Sequence, residues 1–179
     1  MDFVIMRNSF VSFCAFFILA VAQAQSDTFP VPKYDPNQLF YLQRTQNTNT
    51  IVYELQYNNG ILNEEEPVNV YWLRYAEKGQ REGLSFIQRK FAYGIKVKFL
   101  SKDKYQVQSV AYKKLIMHLM KGDSGMYHIY VTINQRPSVL SRIFIKINGG
   151  SFWSPNIEYI ELRGIDTVTG KELIERRKV

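Results

Sequence analysis

The sequence predicts an all-β fold: an antiparallel meander of about ten strands that forms a sandwich or a curved barrel. Three observations predict it. Apolar β-branched and aromatic residues alternate with polar ones through most of the chain after residue 37, which is the period of a strand. The connecting segments are short, and short connections join antiparallel neighbours. This many strands exceed what one flat sheet accommodates, so the sheet curls, closes or splits in two.

The strand boundaries follow from this alternation and from the turn residues between the runs. Ile143, Ile145 and Ile147 show the period clearly, each separated from the next by one residue. Asn59 and Gly60 predict a tight hairpin, because both tolerate a positive φ. The strands are predicted at residues 38–45, 50–57, 67–76, 94–100, 104–111, 114–120, 126–134, 138–148, 156–166 and 171–177.

One segment breaks the strand period and predicts a short helix near residues 82–92. Leu84, Ile87 and Phe91 recur at spacings of three and four, the repeat of one helical face. Ser85 has the side chain of an N-cap residue. An extra strand is the alternative interpretation of this segment. A helix here is expected to pack over one face or an open end of the sheet.

The N-terminal residues have the pattern of a secretory signal peptide. Residues 9–21 (SFVSFCAFFILAV) are almost all apolar, follow Arg7, and lead to a small-x-small cleavage signal that ends at Ala24. A membrane anchor is the alternative, but a spanning helix needs about 20 apolar residues. Cleavage after residues 1–24 predicts an exported protein, periplasmic or extracellular. It also removes Cys14, so the mature chain must be stabilised without disulfides.

The remainder of the chain divides into a leader and one domain. Residues 25–37 hold three prolines, Pro30, Pro32 and Pro36, which fix φ and lack a ladder donor, so they predict an extended leader. Residues 38–179 predict a single β domain. No apolar run of membrane length follows the leader, so no transmembrane segment is expected in the mature chain.

The charge is concentrated in the middle of the sequence. The net charge is +7, yet residues 84–121 alone hold nine basic residues and one acidic residue. Such a surface suits an anionic partner, namely anionic lipid, lipopolysaccharide or an acidic glycan. Nucleic acid is not expected, because export removes the usual partner. The alternative is a solvated face whose lysines protect strand edges against aggregation. The residues assigned to binding are Lys96, Lys98, Lys113 and Lys114.

Aromatic residues supply the second candidate feature. Tyrosines occur in six of the ten predicted strands, and a concavity lined by them binds apolar or carbohydrate ligands through ring area and hydroxyl groups. The alternative is that they lie at the solvated boundary of a β core. The residues assigned to ligand binding are Trp72, Tyr93, Tyr112 and Tyr130.

The sequence contains no recognisable catalytic set. His118 and His128 are interpreted as structural, since no orienting partner or nucleophile accompanies them. Glu158 and Glu161 are three apart on one strand and point to opposite faces. No catalytic residue, metal site or cofactor is therefore assigned, and the interpretation leans away from an enzyme.

The leading hypothesis is a non-enzymatic envelope protein that binds an apolar, glycan or anionic ligand. One alternative is a hydrolase or glycan-active enzyme whose site is assembled from residues distant in the sequence. The other is a purely structural envelope component with an exposed edge strand that is prone to association.

Four blocks of sequence resemble a known family. They are residues 37–41 (NQLFY), 68–75 (VNVYWLRY), 87–94 (IQRKFAYG) and 149–155 (GGSFWSP). Together they are similar to the domain of unknown function numbered 4833, a family of secreted bacterial proteins of this length. The resemblance spans roughly residues 37–176 and implies export and a single domain. It implies no activity, substrate or catalytic residue.

Overall fold

The computed structural model describes residues 29–151 and 154–179 of the chain. The signal peptide predicted at residues 1–24, which includes Cys14, lies outside the described residues. So do Phe152 and Trp153 within the predicted GGSFWSP block.

Thirteen strands, one α-helix and one 3₁₀ turn account for the regular structure of the described residues, so the all-β prediction is confirmed. Three very short strands, β3, β4 and β6, bring the count above the ten expected. The helix α1 is Phe86–Phe91 and the 3₁₀ turn is Tyr75–Glu77. The strands are β1 (Gln38–Arg44), β2 (Asn47–Leu55), β3 (Tyr57–Asn58), β4 (Ile61–Leu62), β5 (Val68–Arg74), β6 (Gln80–Gly83), β7 (Ile95–Ser101), β8 (Lys104–Ser109), β9 (Ile116–Lys121), β10 (Tyr127–Ile133), β11 (Arg136–Gly150), β12 (Pro155–Asp166) and β13 (Glu172–Arg177).

The main sheet divides into two wings at β11. Its order is β6-β5-β2-β1-β11-β10-β9-β8-β7, with β12 on β11 and β13 on β12. Because β12 pairs with β11 from Ser138 to Gly150, β10 and β1 must share the opposite edge of β11. The register of β11 against β12 shifts between Leu140 and Arg142 of β11. At the same point the strand paired with the opposite edge of β11 changes from β10 to β1. We call β6-β5-β2-β1 the first wing and β10-β9-β8-β7 the second wing. The whole sheet curls into a half-barrel.

One strand pair departs from the predicted antiparallel meander. β1 runs parallel to β11, with Tyr41 opposite Arg142 and Arg44 opposite Ile145. Short connections in the sequence predict which neighbouring strands pair. They could not predict this pair, because β1 and β11 are about a hundred residues apart and no hairpin joins them. This pair joins the first wing to the second.

A single apolar cluster takes side chains from both wings. Within it, the ring of Tyr53 stacks on Phe40 with centroids 4.2 Å apart, and its hydroxyl donates to the Tyr93 carbonyl over 2.8 Å. Burial raises the pKa of Tyr53, so the phenol stays neutral and keeps this hydrogen bond. The fully buried residues of β8, β9 and β10 that join the cluster are Tyr105, Val107, Met117, Leu119, Ile129 and Ile133.

The end of the leader covers the other face of β1 and of the neighbouring strand β11. Residues 29–37 of this proline-containing segment form no strand. The Phe29 ring lies 5.3 Å from Phe144, and Gln43 donates its amide to the Pro30 carbonyl over 2.8 Å. Gln43 also donates to Thr50, so the amide is satisfied although it is buried.

The predicted helix is present but shorter than residues 82–92. Ser85 caps it with a capping box, since its hydroxyl accepts from the Gln88 backbone and the Gln88 side chain accepts from the Ser85 backbone. The apolar spacing was misleading in one respect: Ile87 and Phe91 are exposed rather than facing the core. The helix is instead anchored by Gln88, whose side-chain oxygen also accepts from the Trp72 indole over 3.3 Å.

Replacing Gly94 by Ala should destabilise the protein, because a Cβ there would lie 1.9 Å from the Arg89 carbonyl oxygen in α1. Overpacking of this kind costs about 1–3 kcal/mol. Gly83→Ala is the control, since no atom lies within 4 Å of its added Cβ. Urea unfolding of the two variants measures the difference. Equal midpoints would contradict the close approach at Gly94.

The β12–β13 hairpin contains a carboxylate whose ionisation stabilises the fold. Asp166 accepts from the backbone N–H groups of Val168 and Thr169, each over 2.8 Å, and pairs with Arg136 at 2.6 Å. The hydrogen bond from Thr169, then the one from Val168 and the Arg136 charge, hold the pKa of Asp166 below its usual range despite burial. Because the folded pKa lies below the unfolded pKa, this stabilisation is present above the unfolded pKa and is lost as the pH falls through the folded pKa.

Asp166→Asn should therefore be less stable than the native protein at neutral pH and should lose less stability on acidification. Denaturant unfolding between about pH 3 and pH 7 checks this. The range begins roughly one pH unit below the pKa of an aspartate in an unfolded chain. Parallel stability curves for the two proteins would refute the role given to the Asp166 charge.

Candidate functional site

The edge of the second wing carries two of the predicted binding lysines. Lys96 and Lys98 are exposed on β7, the last strand of the sheet, and their side chains share one face. Lys96 lies opposite Gln108 of β8, and Gln108 donates its side-chain amide to the Lys113 carbonyl over 2.6 Å. This contact places the connection that carries Lys113 and Lys114 beside Lys96. We call Lys96, Lys98, Lys113 and Lys114 the basic edge.

The cations around the basic edge have no carboxylate partners among residues 29–151 and 154–179. None of the nine basic side chains between residues 84 and 121 takes part in an ion pair there. The acid of the same stretch, Asp103, instead accepts a short hydrogen bond from the Tyr127 hydroxyl. Burial and this hydrogen bond raise the pKa of Tyr127, so its proton stays on the phenol. The positive charge of this region is therefore not neutralised locally.

Exposed apolar side chains occur on α1 and β7, which also carry four of these cations, Arg89, Lys90, Lys96 and Lys98. Phe86 of α1 is 73% exposed and Phe99 of β7 is 57% exposed, and Ile87 and Leu100 also face solvent. Lys90 lies 5.5 Å above the Phe86 ring, which is cation–π distance. On β7 the residues alternate between faces, so Phe99 points to the face opposite Lys96 and Lys98, and its ring lies 5.7 Å from that of Tyr105. Lysines and exposed apolar side chains along one sheet edge are typical of surfaces that bind an anionic lipid interface.

The predicted aromatic residues do not meet in one concavity of the described structure. Trp72 is 3% exposed, and its ring contacts Tyr93 edge-on at 5.1 Å inside the core. Tyr112 is half-buried against that core. Tyr130 lies on the opposite face of the second wing, with its ring 6.3 Å from His128. The structure thus brings Trp72 and Tyr93 together and separates Tyr130 from them, and their role in ligand binding stays a prediction.

A polar depression that the sequence did not indicate lies at the end of the first wing. Its volume is about 490 Å³. Glu54 accepts from Asn69 over 3.1 Å and forms a close ion pair with Arg81, whose guanidinium lies 3.7 Å above the Tyr71 ring. Burial, with the Glu54 charge, raises the pKa of Tyr71 to about 12. The lining residues are Asp35, Asn37, Glu54, Leu55, Gln56, Tyr57, Asn69 and Arg81. No sequence signal joined Glu54 to Arg81, because strand pairing alone brings them together.

The two histidines share the outer face of the second wing. His118 lies opposite Tyr130, and His128 lies opposite Met120. Within the described part of the chain neither imidazole forms a hydrogen bond to an acid, which the hydrolase hypothesis required. In the same residues no group of three His, Cys, Asp or Glu side chains is arranged to hold a metal ion. No helix there is long and apolar enough to span a bilayer.

Comparison with known proteins places the chain in a family. The family model described as "Domain of unknown function (DUF4833)" matches residues 40–176. The chain belongs to this family. The match confirms the resemblance found in the sequence, and it covers all the strands except the first residues of β1 and the last residue of β13. The family description gives no activity, and no curated protein and no solved structure matches the chain.

Trp72→Ala should lower the free energy of unfolding by about 3–5 kcal/mol, because it removes a buried ring from the core. Trp72→Phe keeps most of the apolar volume and loses only the indole hydrogen bond to Gln88, so its effect should be smaller. Thermal and urea unfolding compare the variants. A Trp72→Ala protein as stable as the native one would contradict the core position.

Proposed function

We propose that the protein is an exported, non-enzymatic binding module that docks on an anionic lipid surface of the envelope through its basic edge. The observation that carries this proposal is the combination, in the described residues, of lysines without carboxylate partners and exposed apolar side chains on the neighbouring α1 and β7, Phe86 above all. The signal-peptide pattern supports the location. The family match is compatible with this function and does not specify it.

Electrostatics and apolar contact contribute differently to such docking. A lysine near an anionic membrane surface contributes about 1 kcal/mol, so the four lysines of the basic edge supply about 4 kcal/mol at low salt. A binding free energy of this size, without any other contribution, corresponds to weak binding. Insertion of an exposed ring such as Phe86 at the interface adds apolar burial, which salt does not screen. Binding should therefore have a salt-sensitive and a salt-resistant part.

Changing Lys96, Lys98, Lys113 and Lys114 together to Gln should weaken binding to phosphatidylglycerol-containing vesicles by about a hundredfold to a thousandfold at low salt. Vesicle sedimentation measures it, with pure phosphatidylcholine vesicles as the uncharged comparison. The native protein should also release from the anionic vesicles as salt is raised.

The matched control removes the same charge from elsewhere on the surface. Lys33, Lys78, Lys171 and Lys178 are exposed and lie outside the basic stretch, so their change to Gln should leave most of the binding intact. Equal losses in the two quadruple variants would mean that only net charge matters and would reject the assigned surface. Absence of vesicle binding by the native protein, with aggregation of the basic-edge variant, would instead favour lysines that only protect the β7 edge.

A further inference from the structure

Three arginines lie together on the outer face of β11, β12 and β13, away from the basic edge. Arg142 and Arg163 are directly opposite each other in the antiparallel β11–β12 pair, and Arg176 lies opposite Glu161 in the β12–β13 pair. Their buried neighbours Ile143 and Leu162 point into the core, so the arginines point outward. Like charges placed directly opposite across a sheet are destabilising.

The carboxylates nearby do not satisfy this arrangement. Glu161 accepts from the Arg176 Nε over 2.8 Å. Arg163 lies 3.9 Å from Glu161 and 3.7 Å from Glu172, both beyond hydrogen-bond distance. Among the described residues, the Arg163 guanidinium donates no hydrogen bond, and its Nε is shielded from solvent. Three guanidinium groups thus share two carboxylates, one of which is occupied by Arg176.

The Arg142 side chain is held in position rather than free. Its Nε donates to Gln43 over 2.9 Å, and its guanidinium lies 5.1 Å from the centre of the Phe144 ring. Gln43 in turn donates to the Pro30 carbonyl, and the Phe29 ring packs on Phe144, so the end of the leader supports this orientation. Burial lowers the pKa of Arg142, and the Arg163 charge lowers it further. The two Nη groups of Arg142 make no side-chain hydrogen bond in the described structure.

We propose that Arg142 and Arg163 form a binding site for an oxyanion, the phosphate or carboxylate group of a small polar ligand. The paired oxygens of these groups match the fork of N–H donors on a guanidinium. An oxyanion between the two side chains removes their mutual repulsion and satisfies donors that the protein leaves open. The Tyr41 side chain, opposite Arg142 on the parallel strand β1, borders the site. The site is independent of the lipid-docking surface, which lies on another part of the sheet.

The experiment measures the thermal unfolding midpoint of the full chain with inorganic phosphate or with glucuronate, each against chloride at matched ionic strength. A ligand that binds only the folded state raises the midpoint. Phosphate also stabilises proteins non-specifically, so the informative quantity is the difference between the native protein and Arg163→Gln. A rise in the midpoint with phosphate alone identifies a phosphate ligand, and a rise with glucuronate alone identifies a carboxylate ligand. Either result supports the site.

Arg142→Gln and Arg163→Gln should each weaken oxyanion binding by about tenfold or more, the loss expected for one charge-assisted hydrogen-bonded contact. Arg163→Gln should also be at least as stable as the native protein without ligand, because it removes a like-charge pair. Arg89→Gln, an exposed arginine of α1, is the control and should bind as the native protein does.

Two outcomes would overturn the proposal. One is a native protein that responds no more to either oxyanion than to chloride. The other is an Arg163→Gln protein that responds as strongly as the native one. Loss of vesicle binding is not expected in either arginine variant, so failure of this site and failure of the lipid-docking function can be told apart.

Discussion

The architecture depends on how the single long strand β11 distributes its hydrogen bonds. A strand has only two edges, and β12 occupies one of them from Ser138 to Gly150. The two wings therefore share the other edge, and the register shift between Leu140 and Arg142 marks the change from one wing to the other. Because both wings begin at the same edge, the sheet curls and their apolar faces close on one cluster. The positions of the basic edge and of the arginine pair both follow from this sharing of one edge of β11 by two wings.

The division also explains why polar and charged groups collect in different places. Phe29 and Pro30 cover the outer face of β1 and β11 at Phe144 and Gln43, so the Gln43 amide has defined partners. On the same face Arg142 lies opposite Arg163, and the described residues supply too few acceptors for both guanidinium groups. Among the described residues no further strand lies beside β7, the last strand of the second wing, and lysines occupy that edge. One sheet therefore carries two positively charged surfaces of different chemistry. The outer face of β11 and β12 presents the planar guanidinium groups of Arg142 and Arg163, and the β7 edge presents the flexible ammonium groups of lysines.

Much of the fold was predictable because its signals are local. The period of two located most of the strands, and the Asn59–Gly60 hairpin has the expected positive φ at both residues. Ser85 was identified as a cap from its own chemistry. The apolar face of α1 was predicted wrongly, because spacing shows which residues share a helical face but not whether that face meets the core. Lys96 and Lys98 share one face of β7, as the period of a strand requires. The arginine pair of β11 and β12 has no such local signal, because twenty residues lie between Arg142 and Arg163 in the sequence.

The sequence alone determined the β class, the family, most turns, and the concentration of positive charge between residues 84 and 121. These follow from short-range periodicity, turn chemistry and composition, which need no knowledge of distant partners. Only the tertiary structure decided that β1 pairs in parallel with β11, that Trp72 lies in the core, and that Arg142 meets Arg163. Those features depend on register between strands far apart in the chain, and register is set by the packing of the whole sheet rather than by either strand itself.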